Sequence, residues 1–375
     1  MKTALIYLDD FVAFEYGPDH PLKTFRLKLT YELIKACGLL SLPDTKLVEP
    51  IMASKEDMLM FHDEGYIDIL KILNNGRMIP VAEFYGIGIG DNPAFKGLYD
   101  WSSLVAGASL KAASLVANGE VDVAFNFAGG LHHAMSNYAS GFCYINDPVL
   151  AIMSLQKKGF RVAYIDIDAH HGDGVQAAFY KTNKVLTISI HETGNTLFPG
   201  TGFETEAGEG DGLGFSINIP LPPASDDELF LYAFNEVVPP IIDKFKPDIV
   251  VSQLGVDSFY NDPLAHLSYS IKGFYEVVRR IKDISPKWVA LGGGGYNMSN
   301  VARAWTLAWA IMNSVELPDY IPQEFLSNYA QYGFQNKMID DKEYDESSIK
   351  REIIKTEVER VVRYVKDNIF RYHGI

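Results

Sequence analysis

Val162-Ala-Tyr-Ile-Asp166-Ile-Asp168-Ala-His170-His171-Gly-Asp173-Gly174 is the stretch on which the fold turns. It begins as a nearly continuous apolar run, Val162–Ile167, interrupted by Asp166, and then breaks into acids, histidines and glycines. Residues two apart in an extended chain share a face, so Asp166, Asp168 and His170 converge at the C-terminal end of a strand. Five comparable runs lie elsewhere, at Thr3–Leu8, Val121–Phe127, Val185–Ile190, Asp248–Leu254 and Trp288–Leu291. Nearly continuous apolar runs of this length read as strands covered on both faces. Helical stretches separate them. Pro21 to Gly38 ends on a glycine stop, Asp147-Pro148 reads as an N-cap followed by a first-turn proline, and Ser225-Asp226-Asp227-Glu228 reads as a capping box opening a helix to Phe245. Alternating strands and helices predict an α/β fold with a mostly parallel, doubly wound sheet flanked by helices. Ligands of such sheets bind at the C-terminal strand ends.

Composition narrows the reading. The chain has 375 residues, and 33 basic against 48 acidic side chains give a formal net charge of −15. That balance argues against nucleic acid, which is bound by clustered Lys and Arg. It leaves room for a cationic ligand or protein surface. A length near 375 allows two domains, but no linker, repeat or low-complexity stretch divides the chain. One domain over 1–375 is expected. It includes an amphipathic C-terminal helix at about 347–371, whose Ile354, Val358, Val361, Val362, Val365 and Ile369 recur at helical spacing. The acidic stretch Ile339–Ser348 before it reads as a surface loop. Cys37 and Cys143 form no C-x-x-C pair, which excludes a disulfide scaffold and a cysteine zinc site. The Ala4–Leu8 run is too short for a signal peptide and no stretch suits a membrane span, so the expected setting is cytoplasmic and the expected partners include no membrane.

Five of nine histidines fall between His132 and His191, a window that also holds Asp166, Asp168 and Asp173. Carboxylates as close as Asp166 and Asp168 repel unless a cation or proton lies between them. Asp257, after the apolar run ending at Leu254, reads alone as a turn or cap residue; as a third ligand it would complete a set with Asp168 and His170. Three N/O ligands leave coordination open for water and substrate, which marks a catalytic metal site suited to Zn²⁺, with Fe²⁺ as the alternative. Phe127-Ala-Gly-Gly-Leu-His132-His133 follows another strand, and Gly292 to Gly295 lead directly into Tyr296.

Together these elements resemble the histone deacetylase family, taken to include bacterial acetoin-utilization proteins and acetylpolyamine amidohydrolases. The resemblance runs from Arg26 to Arg303 and rests on His20-Pro-Leu-Lys23, Asp91-Asn-Pro, the His132-His133 pair and Gly141-Phe-Cys-Tyr-Ile-Asn-Asp147. It continues through Asp166–Gly174, Phe198-Pro-Gly-Thr-Gly202, Gly255-Val-Asp257 and Gly292–Tyr296. It is closest to the class I pattern, with Tyr at 296. It implies an arginase/deacetylase-like sheet and Asp168, His170 and Asp257 as metal ligands. It pairs His132 with Asp166 and His133 with Asp173, and sets Tyr296 over the substrate carbonyl. Phe142 and Phe198 become walls of a narrow slot, with Gly141 beside them and Leu264 at the rim. Asp91 would hold the substrate backbone at the mouth, and Arg26 would lie near an internal cavity. A structural K⁺ near Asp166, Asp168, His170 and Ser189 is also implied.

The implied reaction is hydrolysis of acetyl-lysine in a protein or peptide by metal-activated water, with a small acetylated amine as another candidate substrate and a monomer as the expected state. The chain carries no nuclear-localisation tract, which favours a stand-alone bacterial-type enzyme. Three other readings compete. An acetylpolyamine amidohydrolase would use the same machinery. An arginase-type dimanganese ureohydrolase needs a second carboxylate where Ser258 and Phe259 follow Asp257. A non-catalytic acetyl-lysine binding module would be expected to lack a ligand, a histidine or the tyrosine.

Overall fold

The computed structural model describes residues 1–340, 342 and 348–375. Its core is one eight-stranded sheet: β1 Thr3–Ile6, β2 Thr45–Val48, β3 Val123–Asn126, β4 Val162–Asp166, β5 Val185–Glu192, β6 Ser216–Leu221, β7 Ile249–Gln253 and β8 Trp288–Leu291. The spatial order is β2-β1-β3-β8-β7-β4-β5-β6 and every pairing is parallel. The six strands expected from sequence are the six interior ones. The two missed strands, β2 and β6, are the edges. β2 is only partly buried, and β6 alternates polar and apolar residues and contains Pro220, a residue tolerated at sheet edges.

The described α-helices are α1 Phe25–Ala36, α2 Lys55–Met58, α3 Glu64–Leu73, α4 Leu98–Ala117, α5 Asp147–Lys157, α6 Asp173–Phe179, α7 Asp227–Phe245, α8 Ile271–Ile284, α9 Met298–Met312, α10 Gln323–Tyr329 and α11 Ile349–Asn368. One group packs in the chain α11–α7–α8–α9–α1, and another as α3–α4–α5–α6. The buried face of α11 carries Ile354, Val358, Val361, Val362 and Val365, with Ile369 just beyond. Arg351 pairs with Asp226 at 2.6 Å and ties the start of this helix to the start of α7. Residue 347 and most of the expected surface loop, 341 and 343–347, lie outside the described residues.

Three helix starts differ from expectation. α1 begins at Phe25 rather than Pro21, because Leu22 N–H donates to His20 Nδ1 and turns the chain before the helix. The cap of α7 is Asp226, which accepts from Leu229 N–H, while the Ser225 hydroxyl turns away to the Pro222 carbonyl. The cap of α5 is Asn146 rather than Asp147.

That last shift has structural weight, because Asn146 and Asp147 face the turn after β3. Asn146 Oδ1 accepts from Val149 N–H at 3.1 Å, and its Nδ2 donates to the carbonyls of His132 and Ala134 at 3.1 and 2.9 Å. The Asp147 carboxylate accepts from Gly130 N–H at 3.0 Å, Leu131 N–H at 2.8 Å and Ser109 Oγ–H at 2.5 Å. Burial raises its pKa to about 6 against the pull of those donors. His62 lies behind Asn146. Its Nε2 accepts from Asn146 N–H at 3.0 Å while Nδ1–H donates to the Ser136 carbonyl at 3.2 Å. Those partners demand the neutral ring, and burial pushes the pKa of His62 down to about 4.

Two outcomes are expected. The folded pKa of His62 lies below its ordinary value near 6.5, so the unfolded chain takes the proton first. Stability from this group is complete above about pH 6.5 and falls by up to about 3 kcal/mol as the pH drops to about 4. Urea unfolding across that range should give a flatter pH dependence for His62→Phe than for the unaltered protein, and equal slopes would contradict the assignment. At Gly107 in α4, a Cβ would stand 1.8 Å from the Ile51 carbonyl oxygen. Gly107→Ala should therefore cost about 1–3 kcal/mol in denaturant unfolding through overpacking.

Candidate functional site

Four neighbouring strands, β3, β8, β7 and β4, deliver the site from their C-terminal ends. β4 ends at Asp166 and the chain leaves it in short polar turns. Asp166 Oδ1 accepts from Asp168 N–H at 3.1 Å, and Asp168 Oδ1 accepts from His170 N–H at 3.0 Å. This self-capping by aspartates bends the chain so that Asp168 and His170 stand together. β7 supplies Asp257, whose Oδ1 accepts from Ala169 N–H at 2.9 Å. Asp168, His170 and Asp257 each offer a donor atom within 4.8 Å of the others, and all three are buried. His170 Nδ1 lies 3.0 Å from Asp257 Oδ2 and 3.2 Å from Asp168 Oδ1.

The charges around this set are unusual for a core. Burial and the nearby Asp168 both raise Asp257, while His132 and His170 outweigh burial and hold Asp168 low. Two buried carboxylates beside one imidazole form a nitrogen–oxygen donor set that suits a divalent transition metal. Among the described residues it is the one such cluster of three.

β3 leads into the turn that bears His132 and His133. His132 Nδ1–H donates to Asp166 Oδ2 at 2.8 Å, and His133 Nδ1–H donates to Asp173 Oδ1 at 2.7 Å. The two Nε2 atoms face each other at 3.1 Å. Burial disfavours charge on His132, but Asp166 and Asp168 outweigh it and raise its pKa to about 9. Burial and the charge on His132 push His133 down to about 4. The two rings are thus pushed in opposite directions, and His133, with Nδ1–H given to Asp173, keeps Nε2 as its acceptor nitrogen.

β8 is followed by the glycine run and Tyr296. Gly294 N–H donates to Asp168 Oδ2 at 2.8 Å, and a Cβ there would lie 1.9 Å from Asp257 Oδ2, so no other residue fits between the two carboxylates. Tyr296 borders a small inner cavity, of about 20 Å³, together with His132, His133, Asp168 and His170. It also lines an outer opening with Asp91, Gly141, Phe142, Phe198 and Leu264. Burial, Asp257 and Asp168 keep its phenol protonated by raising the pKa well above 10. Phe142 meets the Tyr296 ring edge-on at 5.6 Å, and Phe198 meets His133 likewise at 5.0 Å. Asp91 is solvent-exposed at the mouth. Arg26 lies behind the glycine run, where its Nη1 and Nη2 donate to the Gly295 and Gly293 carbonyls, each at 2.8 Å. Ser189 pairs in register with Asp166, but its hydroxyl is turned to His191 Nδ1 at 2.8 Å.

Several supporting residues escaped the sequence reading. Gln253 Nε2 donates to Asp168 Oδ2 at 2.6 Å while its Oε1 accepts from Gly255 N–H at 2.7 Å. Tyr164 OH donates to Asp166 Oδ2 at 2.7 Å. Asp262 accepts from Tyr296 N–H at 2.8 Å and Leu264 N–H at 3.0 Å. Burial and Asp257 raise its pKa to about 7. Gln253 and Tyr164 sit within quoted strand runs, and a polar residue in a run buried on both faces was the available signal.

Comparison with known proteins matches this geometry to one family. Residues 20–312 match the model of the histone deacetylase domain. The acetoin utilization protein AcuC of Bacillus subtilis (strain 168) is 40% identical over 332 residues, which covers 86% of this chain and 85% of that protein. Histone deacetylase B of Dictyostelium discoideum is 41% identical over 334 residues, covering 88% and 78%. The crystal structure of an HDAC homolog complexed with SAHA superposes with a TM-score of 0.87 at 34% identity, covering 96% of this chain and all (100%) of that one. An HDAC homolog from Aquifex aeolicus gives 0.85 at 34% identity, covering 98% and 100%. With this site at the strand ends of this sheet, the chain belongs to the histone deacetylase family and is a metal-dependent deacetylase.

Proposed function

We propose that the protein hydrolyses the ε-acetyl amide of lysine in a protein or peptide, with one zinc ion held by Asp168, His170 and Asp257. The observation that carries this reading is a single buried Asp–His–Asp donor set facing two His–Asp pairs and a tyrosine, at the base of an opening bordered by Phe142 and Phe198. One three-donor cluster among the described residues favours a single ion over a dimanganese pair. When bound, such an ion lowers the pKa of water to near neutrality and polarises a carbonyl.

The protein's own groups complete the chemistry. His133 donates Nδ1–H to Asp173, so its Nε2 accepts a proton from the attacking water and later delivers one to the leaving lysine amine. His132, whose Nδ1–H is held by Asp166, supports the charge flow as the carbonyl carbon becomes tetrahedral. The Tyr296 hydroxyl donates to the developing oxyanion, and Asp262 holds its backbone in place. Phe142 and Phe198 bury the methylene stem of lysine, worth about 0.8 kcal/mol per methylene. Asp91, at the mouth, accepts from the substrate backbone. Arg26 braces the glycine run beside the inner cavity. A structural K⁺ bound through oxygens of Asp166, Asp168, His170 and Ser189 belongs to the same reading, and the two free thiols fit a cytoplasmic setting.

The decisive test is release of acetate from an acetyl-lysine peptide by the purified protein. Chelation should abolish it, and zinc should restore it at about one equivalent per chain by metal analysis. No hydrolysis with zinc or iron at any pH from 6 to 9 would sink the proposal. Tyr296→Phe should lower kcat by about 100-fold or more, the usual effect of removing one oxyanion donor, with metal content unchanged. Asp257→Ala should lose the metal itself.

A further inference from the structure

Glu192 is a buried carboxylate that the chemistry above does not use. It is the last residue of β5, and its side chain is 0% exposed. A carboxylate is kept in such a place only when donors replace its water. Its donors come from two different loops. Thr196 Oγ–H donates to Oε1 at 2.8 Å from the loop after β5. His266 donates twice from the loop after β7, through Nδ1–H to Oε1 at 3.0 Å and through its backbone N–H to Oε2 at 2.8 Å. The His266 ring is itself 63% exposed.

Each of the two loops contributes a residue to the outer opening. Phe198 lies two residues after Thr196, and Leu264 lies two residues before His266; both line that opening. Each rim residue is thus held, two positions away, by the same carboxylate. The anchor is rigid on its own side, because Glu192 N–H donates to the Ala169 carbonyl at 2.9 Å, beside His170. The 262–266 segment is pinned again by Asp262 to Leu264 N–H and by Ala224 N–H to the His266 carbonyl at 2.7 Å.

We infer that Glu192 is a positioning residue: by clamping His266 to the loop that carries Phe198, it sets the gap between Phe198 and Leu264 and so decides which acyl-lysine side chains enter. This rests on the acyl-lysine reading proposed above. Relaxing the clamp frees both rim loops together and widens the entrance without touching the metal ligands, His133 or Tyr296.

The experiment compares the zinc-loaded unaltered protein with Glu192→Ala, His266→Ala and His266→Asn. Because His266 is largely exposed, His266→Ala keeps the test open if Glu192→Ala does not fold. His266→Asn places an amide N–H where Nδ1–H stood. With acetyl-, propionyl- and butyryl-lysine peptides, the alanine variants should raise KM for the acetyl peptide at least fivefold while kcat stays within twofold. The butyryl-to-acetyl ratio of kcat/KM should rise at least threefold, and His266→Asn should return both values most of the way. Amide hydrogen exchange should accelerate at least tenfold over residues 193–202 and 262–268 together. KM and acyl ratio within twofold of the unaltered protein overturn the inference, as does unchanged exchange in the two loops. Inactivity of the unaltered protein on every acyl peptide instead strikes the proposed function, and the exchange measurement then still decides whether the clamp exists.

Discussion

Negative charge crowded into a dry place is the constraint on which the site depends. Asp168 and Asp257 are both buried, they share His170 as neighbour, and Asp257 is raised by burial and by Asp168 itself. Left to themselves, such carboxylates would drive the core apart or take up protons. The surroundings hold them as ligands instead. Gln253, Gly294 N–H, Ala169 N–H and His170 N–H occupy the outward lone pairs, and the glycine run permits the approach. The result is a buried Asp–His–Asp donor set that could hold a metal ion.

The same economy governs the histidines. His132 and His133 are neighbours in sequence, yet their environments drive them in opposite directions. Asp166 sits against His132 with Asp168 behind it, whereas His133 faces the charge on His132. Two equal rings thereby acquire unequal proton affinities. Their turn is not self-supporting. Asn146 holds the carbonyls, Asp147 holds the amides and His62 holds Asn146, so helix α5 acts as the mould for the catalytic turn.

What was legible in the sequence follows burial. The six interior strands announce themselves because both faces are covered and nearly every side chain is apolar, as in Val162–Ile165 or Ile249–Val251. The edge strands lack that signature: Thr45–Val48 is largely solvent-facing and Ser216–Leu221 reads as alternating. The donor residues were legible because Asp168, His170 and Asp257 sit where apolar runs end. Their supports were not, because Asn146 and Asp147 look like ordinary capping residues until the turn they face is known, and Glu192 looks like any acid at the close of a strand. Long-range contacts such as His266 to Glu192 leave no periodicity to read.

The strand order carries a consequence for how the chain is made. β7 and β8 insert between β3 and β4, so the middle of the sheet is closed by segments that come late in the chain. His133 and Tyr296 border one cavity, although a large part of the polypeptide separates them. Such non-local pairing makes folding slow relative to chains dominated by local contacts. During synthesis, β3 and β4 exist before their central partners, and the edges that β8 and β7 will cover stand open. A growing chain thus carries Asp168 and His170 before Asp257, so the donor set stays incomplete until the turn after β7 has emerged, and the sheet stays open until β8 follows. Completion of the donor set and closure of the sheet are therefore successive steps, both late in the chain.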